Sequence, residues 1–140
     1  MERKPIGKLI SQLNRQHQKF LTKELKPFGI GGGGQHSFLI EILRCPGVNQ
    51  DKLTTELKFD KATTARAVKQ LEEAGYIERV LDAKDRRSYQ LYPTQKGLDF
   101  NPILIQLLDR SHLRLTNQLT TQETDQLFTL LRKMNRIDEK

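Results

Sequence analysis

The sequence contains an amphipathic helical segment that is followed directly by two short extended runs. Apolar residues recur at helical spacing over residues 61–74, with Asp60 placed to cap the start and Gly75 to supply a left-handed stop. The extended runs, residues 76–80 and 88–92, are rich in Tyr, Ile, Val and Leu. This order predicts a mainly α fold with a small antiparallel β-wing.

Other segments with apolar residues three and four positions apart predict further helices. They cover residues 6–28, 38–43 and 50–57, a stretch after Thr94, and a last helix opened by the capping-box pair Thr120 and Glu123. The four glycines at 31–34 form a flexible connector in which no helix persists. Pro102 should kink the stretch after Thr94 or mark its true start. Three helices followed by a two-stranded hairpin is the order of a winged helix-turn-helix.

Size and composition fit one cytoplasmic domain. The 140 residues can bury one ordinary core. No apolar stretch nears the roughly 18 residues of a membrane span, the start lacks a signal peptide's apolar core, and the single Cys45 cannot form an internal disulfide. The net charge of +7 points towards nucleic acid, but residues 50–97 hold ten basic and eight acidic residues, a net +2. Binding to DNA would therefore depend on which faces of the molecule carry the positive groups.

The helix over residues 61–74 carries hydrogen-bonding side chains on its outward side. A helix fits the major groove, where each base pair offers a distinct set of donors, acceptors and methyl groups. Thr can bind a phosphate or touch a thymine methyl, Arg suits guanine, Gln suits adenine, and Lys suits a phosphate. Thr64 shares the inward face with Val68 and Leu71 but is included among the candidates. The DNA-contact candidates on this helix are Thr63, Thr64, Arg66, Lys69 and Gln70.

The hairpin tip, DAKDRR at 82–87, carries a second set of candidates. A narrow A·T minor groove concentrates negative potential and attracts an inserted Arg. We expect Arg87 to be that residue, with Asp85 holding its guanidinium by a charge-assisted hydrogen bond. Lys84 and Arg86 would contact flanking phosphates.

The residues of these segments resemble the MarR family of regulators. DKATTARAVKQLEEAGYIER at 60–79 is similar to that family's reading helix and first wing strand. DAKDRR at 82–87 and TQKG at 94–97 resemble its wing and the start of its fifth helix, and LTTQE at 119–123 resembles the opening of its sixth. The similarity covers nearly the whole chain in order and is most specific over residues 48–97.

The resemblance implies a homodimeric, ligand-responsive regulator that binds a pseudo-palindromic operator in double-stranded DNA. Repression by blocking the operator is the leading interpretation, and an activator role is equally compatible with the residues. Within one MarR-type domain, dimerisation is assigned to residues 1–30 and 98–140 and DNA binding to a winged helix-turn-helix lobe over 35–97. Many members bind small anionic aromatic compounds near the junction of these parts, which lowers operator affinity. The candidates for binding such an anion are Lys8, Arg15, His17 and His36. A solvated first helix explains the three that lie on it equally well.

Plainer interpretations of the same residues stay open. The basic side chains of the helix and the hairpin tip could form a solvated face, as could Thr63 and Gln70. Cys45 is expected to be inert, through burial or packing, rather than an oxidation sensor. The three histidines lack the close paired spacing of metal ligands, so no metal or other cofactor is expected.

Two other classes of protein compete with a DNA-binding regulator. Winged helices also serve as protein-interaction modules without specific DNA binding; such a module can lose the basic wing tip and the polar helix face, and this chain keeps both. An enzyme is not expected, because the sequence has no Ser/His/Asp set or metal-ligand cluster, and the glycines at 31–34 lack the Gly-Lys-Ser/Thr ending of a phosphate loop.

Overall fold

The computed structural model describes residues 3–85 and 87–136, and the predicted fold class is confirmed within them. The helices are α1 (Ile6–Leu25), α2 (Gln35–Arg44), α3 (Gln50–Leu57), α4 (Lys61–Glu73), α5 (Gln95–Thr116) and α6 (Thr121–Asn135). The strands are β1 (Val48–Asn49), β2 (Ile77–Leu81) and β3 (Tyr89–Pro93). A 3₁₀ turn over Lys26–Phe28 closes α1 where the sequence predicted continued helix. None of the described helices is both long enough and apolar enough to cross a membrane.

Caps define both ends of α3 and the start of α4. The side chain of Asn49 accepts a hydrogen bond from the Lys52 backbone N–H at 2.7 Å and so caps α3. Lys58 ends α3 in the left-handed region, with φ of 57°. Asp60 then caps α4, accepting from the Thr63 N–H at 2.6 Å. The left-handed Lys58 and the Asp60 cap let α4 begin directly after α3, as a helix-turn-helix requires.

The hydrophobic core is shared by α1, α2, α3, α4, α5 and the sheet. Its largest fully buried side chains come from all of these elements and from the segments beside them. They are Leu21, Leu25, Ile30, Phe38, Leu39, Ile42, Leu53, Leu71, Tyr76, Ile77, Leu91 and Leu104. One face of α4 is therefore buried in the core, so the opposite face is directed towards solvent.

The sheet has three strands in the order β1-β3-β2, one more than the sequence predicted. In the added pair, Val48 lies opposite Leu91, and the Gly47 N–H donates to the Leu91 carbonyl at 2.7 Å. Two residues are too few to produce a strand periodicity, so β1 left no signal in the sequence. The strands β2 and β3 form the predicted hairpin, each starting one residue later than expected.

The helix α5 packs closely against the turn that follows α4. The Thr94 hydroxyl donates to the Gly75 carbonyl at 2.5 Å, and the Thr94 N–H donates to the Tyr76 carbonyl at 3.0 Å. A Cβ at Gly97 would lie only 2.3 Å from that same Tyr76 oxygen, so only glycine allows this approach. Because α5 begins at Gln95, Pro102 lies inside it and does not mark its start.

The last helix contrasts with the rest of the chain. Its predicted capping box is confirmed: the Thr120 hydroxyl accepts from the Glu123 N–H at 3.1 Å, and the Glu123 carboxylate accepts from the Thr120 N–H at 2.9 Å. No residue of α6 is buried in the single chain. Its exposed large apolar side chains are Leu127, Phe128, Leu130, Leu131 and Met134.

Candidate nucleic-acid interface

The outward side of α4 is polar and basic, as the sequence predicted. Arg66 and Lys69 are exposed, and Thr63 is half-buried beside them, its hydroxyl accepting from Arg66 Nη2 at 3.4 Å. The bond that Asp60 accepts from the Thr63 backbone lowers the pKa of the Asp60 carboxyl, so the cap stays ionised at the start of the helix. We call the outward residues Thr63, Arg66, Lys69 and Gln70 the reading face.

Thr64 is not part of this face, and its assignment as a DNA contact is wrong. It is only 1% exposed and lies between α3 and α4. Its hydroxyl donates to the Asp60 carbonyl at 2.9 Å and accepts from the Thr54 hydroxyl at 2.8 Å. Both hydrogen-bonding directions of this hydroxyl are used inside the lobe, so Thr64 holds the two helices together and cannot reach a base.

Gln70 makes a contact that sequence reasoning did not foresee. It is exposed, but its Oε1 accepts a hydrogen bond from Nε2 of Gln35, at the first position of α2. The Oε1 of Gln35 in turn accepts from the Gly31 backbone N–H at 3.1 Å. In the sequence Gln35 is marked only as a polar residue shortly before the apolar run 38–43, because its partner lies 35 positions away.

The hairpin tip is organised by two aspartates. Asp82 Oδ1 accepts from the Lys84 backbone N–H at 2.8 Å. Asp85 Oδ1 accepts from the Arg87 backbone N–H at 3.1 Å and from Arg87 Nε at 3.3 Å. The Arg87 side chain is nevertheless 93% exposed, so its guanidinium is directed by Asp85 and open to a ligand. Arg86 lies outside the described residues.

At the base of the hairpin, Arg79 is engaged within the protein. Its Nη2 lies 3.1 Å from a Glu72 carboxylate oxygen, and its guanidinium carbon is 5.0 Å from the centre of the Tyr89 ring. This pairing ties the end of α4 to both wing strands and neutralises the arginine.

A cavity of about 210 Å³ lies between α1 and α5. His17, Phe20, Ser111 and Arg114 are among the residues that line it. His17 Nδ1 and Ser111 Oγ are 2.7 Å apart, and the Arg114 guanidinium carbon lies 4.7 Å from the centre of the Phe20 ring. A cation beside an aromatic ring and two polar groups suits a small organic anion.

The four predicted anion-binding residues are not brought together in this cavity. Only His17 lines it; Lys8 and Arg15 are exposed on α1 outside its lining. His36 is buried beside His17, with ring centroids 6.0 Å apart, and is not among the lining residues. Burial lowers the pKa of His17, and burial together with the nearby His17 lowers the pKa of His36 to about 4. Sequence reasoning missed Arg114, which supplies the positive charge of the cavity.

Two other expectations concerned the cysteine and the histidines. Cys45 is exposed, so the part of the prediction that relied on its burial is wrong. Across residues 3–85 and 87–136, no three His, Cys, Asp or Glu side chains come together in a way that could hold a metal ion.

A helix-turn-helix of α3 and α4, followed by the hairpin β2–β3 with a basic tip, defines the winged helix-turn-helix class. The MarR family profile matches residues 34–89, from the end of the glycine connector into β3. Over 103 residues the chain is 32% identical to the "uncharacterized HTH-type transcriptional regulator YybA" of Bacillus subtilis (strain 168), covering 74% of this chain and 69% of that protein.

Solved structures give the same result. A MarR transcriptional regulator from Methanosarcina mazei Go1 is 37% identical, with a TM-score of 0.88 over 94% of both chains. A mutant MarR from E. coli, complexed with operator DNA, is 27% identical, with a TM-score of 0.82 over 93% of both chains. This chain belongs to the MarR family of helix-turn-helix transcriptional regulators.

Proposed function

We propose that this regulator works in the cytoplasm as a homodimeric, ligand-responsive repressor that binds a pseudo-palindromic operator. The observation that carries the proposal is the pairing of two exposed basic elements in one lobe. The reading face of α4 offers Arg66 and Lys69, and the wing tip offers Arg87, oriented by Asp85. Side chains of these types read the major groove and enter a narrow minor groove, respectively.

The homodimer is supported by apolar surface that the single chain leaves uncovered. The proposed dimerisation segments, residues 1–30 and 98–140, include the outer sides of α1, α5 and α6. On these helices, exposed apolar side chains include Leu9, Leu13, Leu113, Phe128 and Leu130. Many large apolar side chains exposed on three helices are costly in water, and buried apolar surface is typical of obligate interfaces. A second copy of the chain is the partner we propose for it.

Dimerisation would let two lobes read one operator together and so increase the specificity for its sequence. Two lobes related by a two-fold axis would insert their α4 helices into successive major grooves, roughly 34 Å apart. The winged lobe over residues 35–97 would then read one half-site of an inverted repeat. Occupation of an operator in this way blocks access of other proteins to the same DNA, which is the basis of repression.

Ligand control is assigned to the cavity between α1 and α5. We propose that a small aromatic anion binds there against Arg114, Phe20 and His17. The cavity is formed by helices of the proposed dimerisation region, so a ligand that favoured one arrangement of these helices would change the spacing of the two lobes. Operator affinity would fall by the ratio of the ligand's affinities for the two arrangements.

The proposal is tested by selecting bound duplexes from a random library with the purified protein at moderate salt. We expect an inverted repeat whose half-sites are centred about one helical turn apart. Weak binding to all duplexes with no selected motif would contradict the proposal and favour a protein-interaction module.

A further inference from the structure

A chain of amide hydrogen bonds connects the glycine connector to the reading face. The Gly31 backbone N–H donates to Gln35 Oε1 at 3.1 Å, and Gln35 Nε2 donates to Gln70 Oε1. Gln35 is buried, at 6% exposure, so its amide is shielded from competing water. The bonds therefore define how both glutamine amides are oriented.

The orientation follows from which groups can donate. A backbone N–H is only a donor, so Gln35 must turn its oxygen to Gly31 and its NH₂ group to Gln70. Gln70 must then turn its oxygen to Gln35, since an NH₂ group facing another NH₂ group forms no hydrogen bond. In the described part of the chain, no hydrogen bond uses the Gln70 NH₂ group. Gln70 is left with two N–H donors for a partner outside the chain.

We propose that Gln35 is a positioning residue that makes Gln70 a donor towards DNA; this inference rests on the proposed function. Bidentate recognition of adenine by glutamine needs both the oxygen and the NH₂ group of one amide. The oxygen of Gln70 is turned inward to Gln35, so the outward side of this amide presents its NH₂ group. Guanine offers two acceptors, N7 and O6, on its major-groove edge and matches an NH₂ group. One base pair in each half-site should therefore prefer guanine and not the adenine that the residue type alone suggested.

Replacement of Gln35 by glutamate gives the sharpest test, because it reverses the donor direction with almost no change in shape. The carboxylate of Gln35→Glu still accepts from Gly31 but has no proton to give to Gln70. The Gln70 amide then gains by rotating its NH₂ group inward and its oxygen outward. An outward oxygen matches the N4 amino group of cytosine, so the preferred base at that position should change from guanine to cytosine.

Two further variants separate orientation from simple loss of a side chain. Gln35→Met keeps a similar volume without a hydrogen-bonding group, so Gln70 can present either end of its amide and the preference should flatten. Gln70→Glu tests the same relationship from the other partner, since its carboxylate accepts from Gln35 and presents only acceptors outward. This variant should also prefer cytosine, and it remains informative if Gln35→Glu fails to fold.

The experiment is selection from random duplexes with the full-length parent and each variant, after thermal unfolding confirms that each is folded. The expected result is a guanine preference in the parent and a cytosine preference in Gln35→Glu and Gln70→Glu. Each should be roughly fivefold or more, the low end of what one mismatched base pair costs. An unchanged guanine preference in the folded glutamate variants, or an unchanged motif in Gln70→Ala, would overturn the inference. A parent that selects no motif at all would instead overturn the proposed function.

Discussion

The carboxylate of Asp85 accepts two hydrogen bonds from Arg87, one from the backbone N–H at 3.1 Å and one from Nε at 3.3 Å. Both reach the same oxygen, Oδ1, and leave the guanidinium almost fully exposed. A surface ion pair of this kind adds little to stability. Its effect is to limit the directions that a long, flexible side chain can take at the wing tip.

Arg87→Ala should weaken operator binding by about 1 to 3 kcal/mol and relax the base preference in the flanking A·T segments. The reason is the loss of a cation from the minor groove. Affinity for selected and scrambled duplexes, measured by fluorescence anisotropy, checks both effects. Lys84→Ala is the matched control, because loss of a phosphate contact should weaken binding evenly across sequences. If Arg87→Ala bound like the parent, the wing would have no role in recognition.

Asp85→Ala distinguishes two roles of Asp85, orientation of Arg87 and electrostatic repulsion of DNA phosphates. The two roles predict changes of opposite sign in the affinity for DNA. Removal of a negative charge near phosphate should strengthen binding if charge alone matters. If Asp85 orients Arg87, its removal should instead weaken binding, by less than Arg87→Ala does. Stronger binding by Asp85→Ala in the same anisotropy titration would argue against the positioning role.

Two adjacent threonines should respond in opposite ways to the same substitution. Thr64→Val removes the hydroxyl that links α3 to α4, so the free energy of unfolding should fall by about 1 kcal/mol while the folded fraction binds DNA normally. Thr63→Val should leave stability nearly unchanged and lower operator affinity. Urea unfolding and anisotropy on both variants test the contrast. A loss of affinity specific to folded Thr64→Val would restore Thr64 as a DNA contact.

Charges on the uncovered side of α6 should prevent dimerisation. Leu127 and Leu131 lie one helical turn apart and are 40% and 46% exposed in the single chain. Leu127→Glu/Leu131→Glu should give a monomer in sedimentation equilibrium, because burying two carboxylates at an apolar interface is unfavourable. Val80→Glu is the control, at a site on the wing with 44% exposure. A dimeric double variant would exclude this side of α6 from the interface.

The buried His36 should make stability depend on pH. Its pKa is lowered from 6.5 to about 4 in the folded chain, so between these values the unfolded chain binds more protons than the folded one. The free energy of unfolding should therefore fall as the pH drops from about 6.5 to 4, by at most about 1.4 kcal/mol per pH unit from this group. The lowered pKa of His17 acts in the same direction.

Urea unfolding across this pH range measures the dependence. His36→Gln should reduce the slope, whereas His112→Gln, which changes an exposed histidine on α5, should leave it unchanged. Equal slopes for the parent and His36→Gln would mean that His36 is not the source.

The parts of the fold that could be predicted are those with local signals. The apolar spacing of Leu53 and Leu57 located α3, the Asp60 cap located the start of α4, and the capping box located α6. The wing strands followed from two runs rich in Tyr, Ile, Val and Leu on either side of a charged turn. Each of these signals lies within a few positions of the structure it specifies.

The parts that could not be predicted depend on partners far apart in the chain. The strand β1 forms only because Val48 meets Leu91, and Gln35 acts on Gln70 across two intervening elements. Thr64 was misassigned because residue type suggested DNA contact, whereas the neighbouring Thr54 determines its role. Arg114 joins His17 only through the packing of α1 on α5.

We propose that two copies of this chain read two half-sites, with the two α4 helices in successive major grooves. The decisive measurement compares affinity for the selected inverted repeat before and after about 5 bp, half a helical turn, is inserted between its half-sites. This insertion should reduce affinity to the level of a single half-site. Insertion of a full turn of about 10 bp should be less harmful, because both half-sites then lie on the same face of the duplex again. If the half-turn insertion left affinity unchanged, the two copies would not read the half-sites together in this way.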